Sequence, residues 1–376
     1  MNAPATAFNH IIQQMADNAS FLWVLRDRQR REPHVYPEHI KELDGRIQAN
    51  LDGLLLYGEE AWAIAQANGE FAQGGEAFCL GVLAFSSDDV NKIQYATEFA
   101  LQNPETFKGM VSALAWLPGS KVHPWITQFF QSKNLEHKRL ALAACRVRKE
   151  DPAGYLNAIL DRPDCIEHLP LLAESLRCVD FFKRNDLRKF SLNYIKDSDS
   201  AVAFWAVVCF GHAFDQLKTF CTAAEPAAQF APRALLLAMV HLPPETAKSW
   251  INEWVEQGFL RLAVQACGFL GDPTTLPWVI EQMKNPELNR AAGEAFYLIS
   301  GQQASTRPAM EIDETTDAID SADESLHWVD AAAEVTTKAA TESFNFYVKS
   351  STLNSPTCFP AMKYQRYARM VSRLLE

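Results

Sequence analysis

One pattern occurs twice in the sequence, as ALAACRVRKEDPAGYLNAILD at residues 141–161 and as AVQACGFLGDPTTLPWVIEQM at residues 263–283. Each copy reads as a helix that ends near an Ala-Cys pair, an Asp-Pro break and a second amphipathic helix. Small Ala and Cys side chains let one helix pack closely against the next, and Pro suits the first turn of a new helix. A looser copy begins at Ala201, where Gly211 and His212 replace the Asp-Pro break. Such repetition predicts stacked pairs of helices.

Helical periodicity continues over most of the chain. From about residue 38 to residue 300, amphipathic segments of ten to fifteen residues alternate with short breaks that contain Pro, Gly, Asp or Asn. In the segment that begins at His39, apolar residues recur at steps of three and four, which places them on one helix face: Ile40, Leu43, Ile47, Leu51, Leu54 and Leu55. Alternating strand patterns bounded by hairpin turns are nearly absent. The sequence therefore predicts an all-α fold, an α-solenoid.

The predicted organisation has four parts. Residues 1–37 form an amino-terminal helix and lead-in, residues 38–300 the solenoid, residues 301–335 a flexible acidic linker, and residues 336–376 a segment that ends in a short amphipathic helix. The linker is predicted from its charge, because nine carboxylates lie between residues 301 and 334 against one cation, Arg307.

Composition and charge exclude several classes of function. The 376 residues carry a net charge of −11, most of it in the acidic stretch, so the chain offers no general attraction for nucleic acid. The amino terminus shows no signal-peptide pattern, and the longest apolar run, Ala201 to Gly211, is too short to span a membrane. The eight cysteines are scattered singly, which is typical of core thiols in a reducing compartment. We expect a cytoplasmic protein without membrane insertion.

Motifs of catalysis are missing from the sequence. It contains no His-Glu dipeptide, HExxH, GxSxG or GxxxxGK[ST] motif. His123, His212 and His241 are interpreted as helix-end residues that cap carbonyls, not as metal ligands. We therefore predict no enzyme, no catalytic or metal-ligating residues and no cofactor.

Five residues are candidates for contacts with another protein. Arg28 and Arg31 belong to a cationic helix end, and the alternative is that they are simply exposed to solvent. Trp250 and Trp254 are four residues apart and share one helix face, so they could form a binding hot spot or pack between neighbouring repeats. Trp328 lies in the acidic stretch, which is either a solvated linker or an element that covers a cationic groove on a toxin.

The repeats, and the LGDP run at Leu270 to Pro273 in particular, resemble HEAT-like repeats over roughly residues 75–300. The segments Phe21–Trp62, Gly74–Ser87 and Ala291–Gly301 resemble an uncharacterised family of bacterial HEAT-repeat proteins that are often encoded beside type VI secretion genes. The resemblance implies a cytoplasmic adaptor or chaperone that binds an effector toxin and could also contact a secretion spike component. The alternatives are an immunity protein that neutralises a toxin and a HEAT-fold enzyme with a site assembled from distant loops.

Overall fold

The computed structural model describes residues 5–30, 35, 37–211 and 213–300. These residues are helical and include no strand, which confirms the predicted all-α class. They fall into two compact units divided between Ala213 and Phe214, which we call the first unit and the second unit. The predicted linker 301–335 and the carboxyl-terminal segment 336–376 lie outside the described residues.

The first unit contains twelve α-helices in its described part. Their bounds are α1 Ala5–Gln29, α2 Pro37–Leu56, α3 Gly58–Asn68, α4 Gly74–Ser87, α5 Val90–Ala100, α6 Pro104–Trp116, α7 Gly119–Gln131, α8 Leu135–Arg148, α9 Gly154–Leu160, α10 Pro163–Ile166, α11 Leu169–Phe181 and α12 Ser200–Phe210. Short 3-10 turns follow α3 and α11, at Gly69–Phe71 and Arg188–Tyr194.

Helices of the first unit pack on one another in a regular succession. Helix α1 contacts α2, α3 and α4; then α4 contacts α6, α6 contacts α8, α8 contacts α11, and α11 contacts α12. Helix α5 covers α4 and α6, and α7 covers α8. The predicted amino-terminal helix is therefore packed into the same unit as the helices that follow it.

The second unit contains six α-helices in its described part. Their bounds are α13 Phe214–Cys221, α14 Ala231–His241, α15 Pro244–Glu256, α16 Leu260–Leu270, α17 Leu276–Gln282 and α18 Asn289–Ser300. Two 3-10 turns occur, at Ala227–Phe230 and Pro273–Thr275. Helix α14 packs on α13 and α16, and α18 packs on α16 and α17.

The predicted breaks between paired helices are present at all three copies of the pattern. The Asp-Pro pair at 151–152 separates α8 from α9, and the pair at 272–273 separates α16 from α17. The Asp272 carboxylate accepts a hydrogen bond from the Thr274 backbone N–H at 2.9 Å, so it supplies the acceptor that a helix start needs. At the third copy Gly211 ends α12 with φ +75°, a left-handed conformation that glycine adopts without steric cost.

Burial follows the predicted helical stripe with two exceptions, of which one, Ile40, is half-buried. Leu43, Ile47, Leu51 and Leu54 of α2 are buried, whereas Leu55 is exposed.

Close helix contacts depend on glycine where α4 meets its neighbours. A Cβ atom on Gly109 of α6 would lie 2.0 Å from the Gly74 carbonyl oxygen of α4, so only a hydrogen fits at this position.

Candidate functional site

Charged side chains meet where α8 and α11 pack together in the first unit. Arg139 and Arg146 lie two turns apart on α8, which places them on one helix face. Glu174 and Arg177 lie one turn apart on α11. We call these four residues the arginine cluster. It results from charged residues that interrupt two otherwise apolar helix faces.

A buried ion pair joins the two helices. The Arg146 Nε atom donates to Glu174 Oε1 at 2.9 Å, and the two side chains are only 6% and 10% exposed. Burial alone would raise the pKa of Glu174, but the charges of Arg146 and Arg177 outweigh it and lower that pKa. Burial would likewise lower the pKa of Arg146, and the Glu174 carboxylate reverses this and raises it. Both groups are therefore charged at neutral pH.

Arg177 shares the same carboxylate but is not neutralised by it. Its Nη1 atom lies 3.8 Å from Glu174 Oε2, which is beyond hydrogen-bond distance. Its Nε atom is buried and has no hydrogen-bond partner among the described residues. Burial and the neighbouring charge of Arg146 together lower the pKa of Arg177 to about 10. Two guanidinium groups thus depend on one carboxylate, and Arg177 is the one whose Nε lacks an acceptor among the described residues.

Aromatic rings lie beneath two of the arginines. The Arg177 guanidinium carbon lies 4.8 Å from the ring centroid of Trp205 in α12, and that of Arg139 lies 4.1 Å from the centroid of Phe107 in α6. Such cation–π contacts hold a guanidinium plane in a fixed orientation. Each ring therefore covers one face of an arginine and leaves hydrogen bonding to the edge of its guanidinium group.

Further charges extend this surface toward α1. Asp27 of α1 lies 2.5 Å from the Lys108 Nζ atom of α6 and 3.1 Å from the Arg30 Nε atom. Arg30 is near enough to Arg177 that its charge contributes to the lowered pKa there. Arg139 pairs at 2.9 Å with Glu136, which also lies 3.2 Å from His168.

Positive charge exceeds negative charge over this region, in contrast to the acidic chain as a whole. The described residues of the connected pairs provide five cations and three carboxylates, an excess of two positive charges: Arg30, Lys108, Arg139, Arg146 and Arg177 against Asp27, Glu136 and Glu174. Guanidinium groups with free donors bind carboxylate or phosphate groups through charge-assisted hydrogen bonds. The excess positive charge of this region therefore favours an anionic ligand over a cationic one.

The residues predicted from sequence lie elsewhere. Arg28 is exposed on the last turn of α1, where its role in binding stays a prediction. Arg31 and Trp328 lie outside the described residues. Trp250 and Trp254 are both buried in α15, Trp254 with only 1% exposure, and their rings meet edge to face at 5.8 Å. The idea that these two indoles form an exposed hot spot is therefore wrong, because the helix turns their shared face inward and they pack in the core.

The histidines differ from one another. The Nδ1 atom of His241 lies 2.9 Å from the Leu237 carbonyl oxygen at the end of α14. This contact confirms the predicted carbonyl cap. His123 lies in α7 and contacts the Glu150 carboxylate at 3.0 Å, so it pairs with a side chain instead of a carbonyl. His212 lies outside the described residues.

Sequence reasoning missed the arginine cluster. Its signal was present in the run LLAESLRC, residues 171–178, where Glu174 and Arg177 interrupt apolar positions that the structure buries. A charged pair at such positions indicates a partner on a neighbouring helix. The sequence could not identify Arg146 as that partner, because 28 residues separate it from Glu174.

Among the described residues, no group of three or more His, Cys, Asp or Glu side chains is arranged to hold a metal ion. No helix in the same part of the chain is long and apolar enough to cross a membrane. No protein-family model matches the chain, and neither a curated protein nor a solved structure was found that matches it.

Proposed function

We propose that this chain is a non-enzymatic protein-binding scaffold, and that its arginine cluster binds an acidic segment of a partner protein. The observation that carries the proposal is Arg177, whose side chain is 23% exposed, whose guanidinium rests on Trp205 and whose carboxylate neighbour Glu174 stays 3.8 Å away. A carboxylate from a partner would pair with the exposed part of this side chain and neutralise part of the local excess charge.

An acidic peptide fits this site better than nucleic acid does. The cluster contains the carboxylate of Glu174, and Glu136 is paired with its Arg139, so two carboxylates at this site would repel a continuous run of phosphates. A peptide can instead place single Asp or Glu side chains between them. The chain as a whole is also acidic, with a net charge of −11, which disfavours a polyanion as long as nucleic acid.

The finer parts of the proposal concern architecture and biological role. The helices stack as an α-solenoid of HEAT-like repeats, for which the succession α4, α6, α8, α11 and α12 in the first unit is the supporting observation. The protein acts in the cytoplasm as a type VI secretion accessory protein, an adaptor or chaperone that holds an effector toxin. This role is supported by the resemblance of the sequence to a family encoded beside such genes.

Binding through the arginine cluster can be tested with a labelled oligoglutamate peptide and fluorescence anisotropy. Arg177→Met keeps the length of the side chain but removes its charge, and Arg46→Met makes the same change at an exposed position of α2 as a control. We expect Arg177→Met to weaken binding at least about tenfold, equivalent to about 1.4 kcal/mol, with little effect of Arg46→Met. Added salt should weaken the wild-type complex.

Two results would overturn the assignment of this site. Equal affinity of the two variants for the peptide would show that binding does not involve Arg177. Tighter binding of a single-stranded oligonucleotide than of the peptide would argue for a nucleic-acid partner. Thermal unfolding of each variant checks that the fold is retained.

The biological role requires a separate experiment. Tagged full-length wild-type protein and Arg177→Met are used for pull-downs from the native host, with mass spectrometry of the bound proteins. Recovery of a secreted toxin or spike component with the wild type alone would support the role in secretion. A toxin that stays active in the complex indicates an adaptor, and one that is inhibited indicates an immunity protein. Recovery of the tagged protein by itself would count against the secretion role.

A further inference from the structure

A concave site lies in the first unit, and none of the four residues of the arginine cluster lines it. A cleft of about 680 Å³ opens between α7, the end of α8 and α9. Its volume is in the range of pockets that bind small organic groups. Its lining is mostly apolar and includes Ile126, Phe130, Pro152 and Tyr155, with the polar side chains of His123 and Glu150 also on the wall.

Aromatic rings form one wall of the cleft. Phe130 and Tyr155 stack in parallel, with ring centroids 4.4 Å apart and an interplanar angle of 5°. Tyr155 is 40% exposed and lines the cleft, so part of its surface is open to a ligand. A planar ligand ring placed there would continue the stack and cover apolar surface on Tyr155.

A fixed hydrogen-bond acceptor faces the same cleft. The Glu150 carboxylate lies 3.1 Å from the Arg148 Nε atom and 3.0 Å from the His123 Nε2 atom. Arg148 is held in turn, since its Nη1 atom donates to the Leu114 and Leu117 carbonyl oxygens at 2.9 Å each. A carboxylate offers about four acceptor positions, so the partly exposed Glu150 retains capacity for one more donor.

The loop that forms the end of the cleft is also held in place. Ala153 adopts φ +48° and ψ −121°, a conformation that costs a non-glycine residue free energy. Its N–H donates to the Asp151 carboxylate at 2.8 Å, and its carbonyl oxygen accepts from the Arg184 Nη1 atom at 3.3 Å. Both backbone groups are thus fixed, and the wall beside Tyr155 is preformed.

We propose that this cleft binds an aromatic group that carries an O–H or N–H donor. The ring stacks on Tyr155, and the donor reaches the Glu150 carboxylate. The same chemistry occurs in a free phenol or indole and in a Tyr or Trp side chain of a partner peptide. The proposal is independent of the arginine cluster, so either site can fail its test without affecting the other.

The test uses ligand-observed NMR titrations of the full chain with 4-methylphenol, toluene and N-acetyl-tyrosinamide. We expect 4-methylphenol to saturate the protein at a concentration on the order of 1 mM, as befits a very small ligand, and toluene to bind several-fold more weakly because it has no donor. Binding of N-acetyl-tyrosinamide together with 4-methylphenol would identify a peptide side chain as a ligand. Binding of 4-methylphenol alone would identify a free aromatic compound.

Matched variants locate the binding site. Tyr155→Ala should weaken 4-methylphenol binding at least tenfold, whereas Tyr155→Phe keeps the ring and should retain it. Tyr95→Ala is the control, because Tyr95 is 39% exposed and lies outside the cleft. Glu150→Gln should reduce the preference for 4-methylphenol over toluene. The proposal is overturned if neither 4-methylphenol nor N-acetyl-tyrosinamide binds, or if Tyr155→Ala and Tyr95→Ala have the same effect.

Discussion

Replacing Glu174 by Gln should destabilise the first unit far more than loss of an ordinary ion pair. The substitution preserves side-chain size but removes the charge that Arg146 meets at 2.9 Å, in a pair whose members are 6% and 10% exposed. Removing one partner of a buried pair costs about 3–5 kcal/mol, because the other charge stays buried and uncompensated. The amide oxygen of the introduced side chain could still accept a hydrogen bond from Arg146. We therefore expect the free energy of unfolding to fall by about 3 kcal/mol, the lower end of this range.

Hydrogen exchange measured by mass spectrometry shows which regions of the first unit lose stability. Peptides from α8 and α11 should exchange roughly 150-fold faster in Glu174→Gln, since 1.36 kcal/mol corresponds to a factor of ten. The matched control is Glu59→Gln, which breaks a 2.6 Å pair with Lys92 in the same unit but at an exposed carboxylate. We expect the control to cost less than about 1 kcal/mol. Equal effects of the two substitutions would refute the assignment of a buried, structurally important pair.

Acid provides an independent check of the same pair. Because the pKa of Glu174 is lowered in the folded state, the pair stabilises the fold fully above the unfolded-state pKa of Glu, about 4.3. This contribution is lost as the pH falls through the lowered folded-state pKa. The difference in urea midpoint between wild type and Glu174→Gln should therefore be constant near neutral pH and shrink in strong acid. A difference that does not change with pH would exclude ionisation of Glu174 as its source.

Three further predictions concern packing, backbone strain and thiol reactivity. Gly109→Ala should lower the urea midpoint by an amount equivalent to at least about 1–3 kcal/mol, because its Cβ would overlap the Gly74 carbonyl. Gly45→Ala, with nothing within 4 Å of the added Cβ in α2, should instead stabilise by about 0.5–1 kcal/mol, and equal shifts would contradict the packing. Ala153→Gly should raise the melting temperature by relieving strain of about 1 kcal/mol at φ +48°, and a lowered value would argue against that strain. The seven described cysteines are buried, so peptide mapping after iodoacetamide treatment should find them alkylated only in urea, and labelling in the folded protein would contradict their burial.

Local features of the fold were predictable from the sequence, whereas contacts between distant helices were not. The break at Asp272 and Pro273 follows from the chemistry of those two residues alone, and the structure places it between α16 and α17. The sequence left open whether Trp250 and Trp254 are exposed or packed, because an amphipathic helix does not reveal what covers its apolar side. The division at 213/214 escaped prediction for the same reason, since it depends on which helices pack together.

The candidate site is the clearest case of this limit. A helix pattern shows that Arg139 and Arg146 share a face, but it gives no indication that α11 brings Glu174 and Arg177 to that face. The sequence directed attention to exposed positions such as Arg28, where charge is easily noticed. The arginine cluster instead consists of partly or fully buried charges, whose meaning depends on the packing of α8 on α11.

The Nε atom of Arg177, which has no partner among the described residues, also bears on how the sequence can change over generations. A methionine at this position would remove an unsatisfied buried donor and a charge that repels Arg146, which offsets the loss of the contact with Trp205 and of the attraction to Glu174, so the free protein would keep most of its stability. Selection for abundance alone would therefore tolerate the loss of Arg177. An arginine that persists at this position in descendants of the chain would mark a benefit realised only in a complex, so the history of this single codon is a record of whether a partner was present.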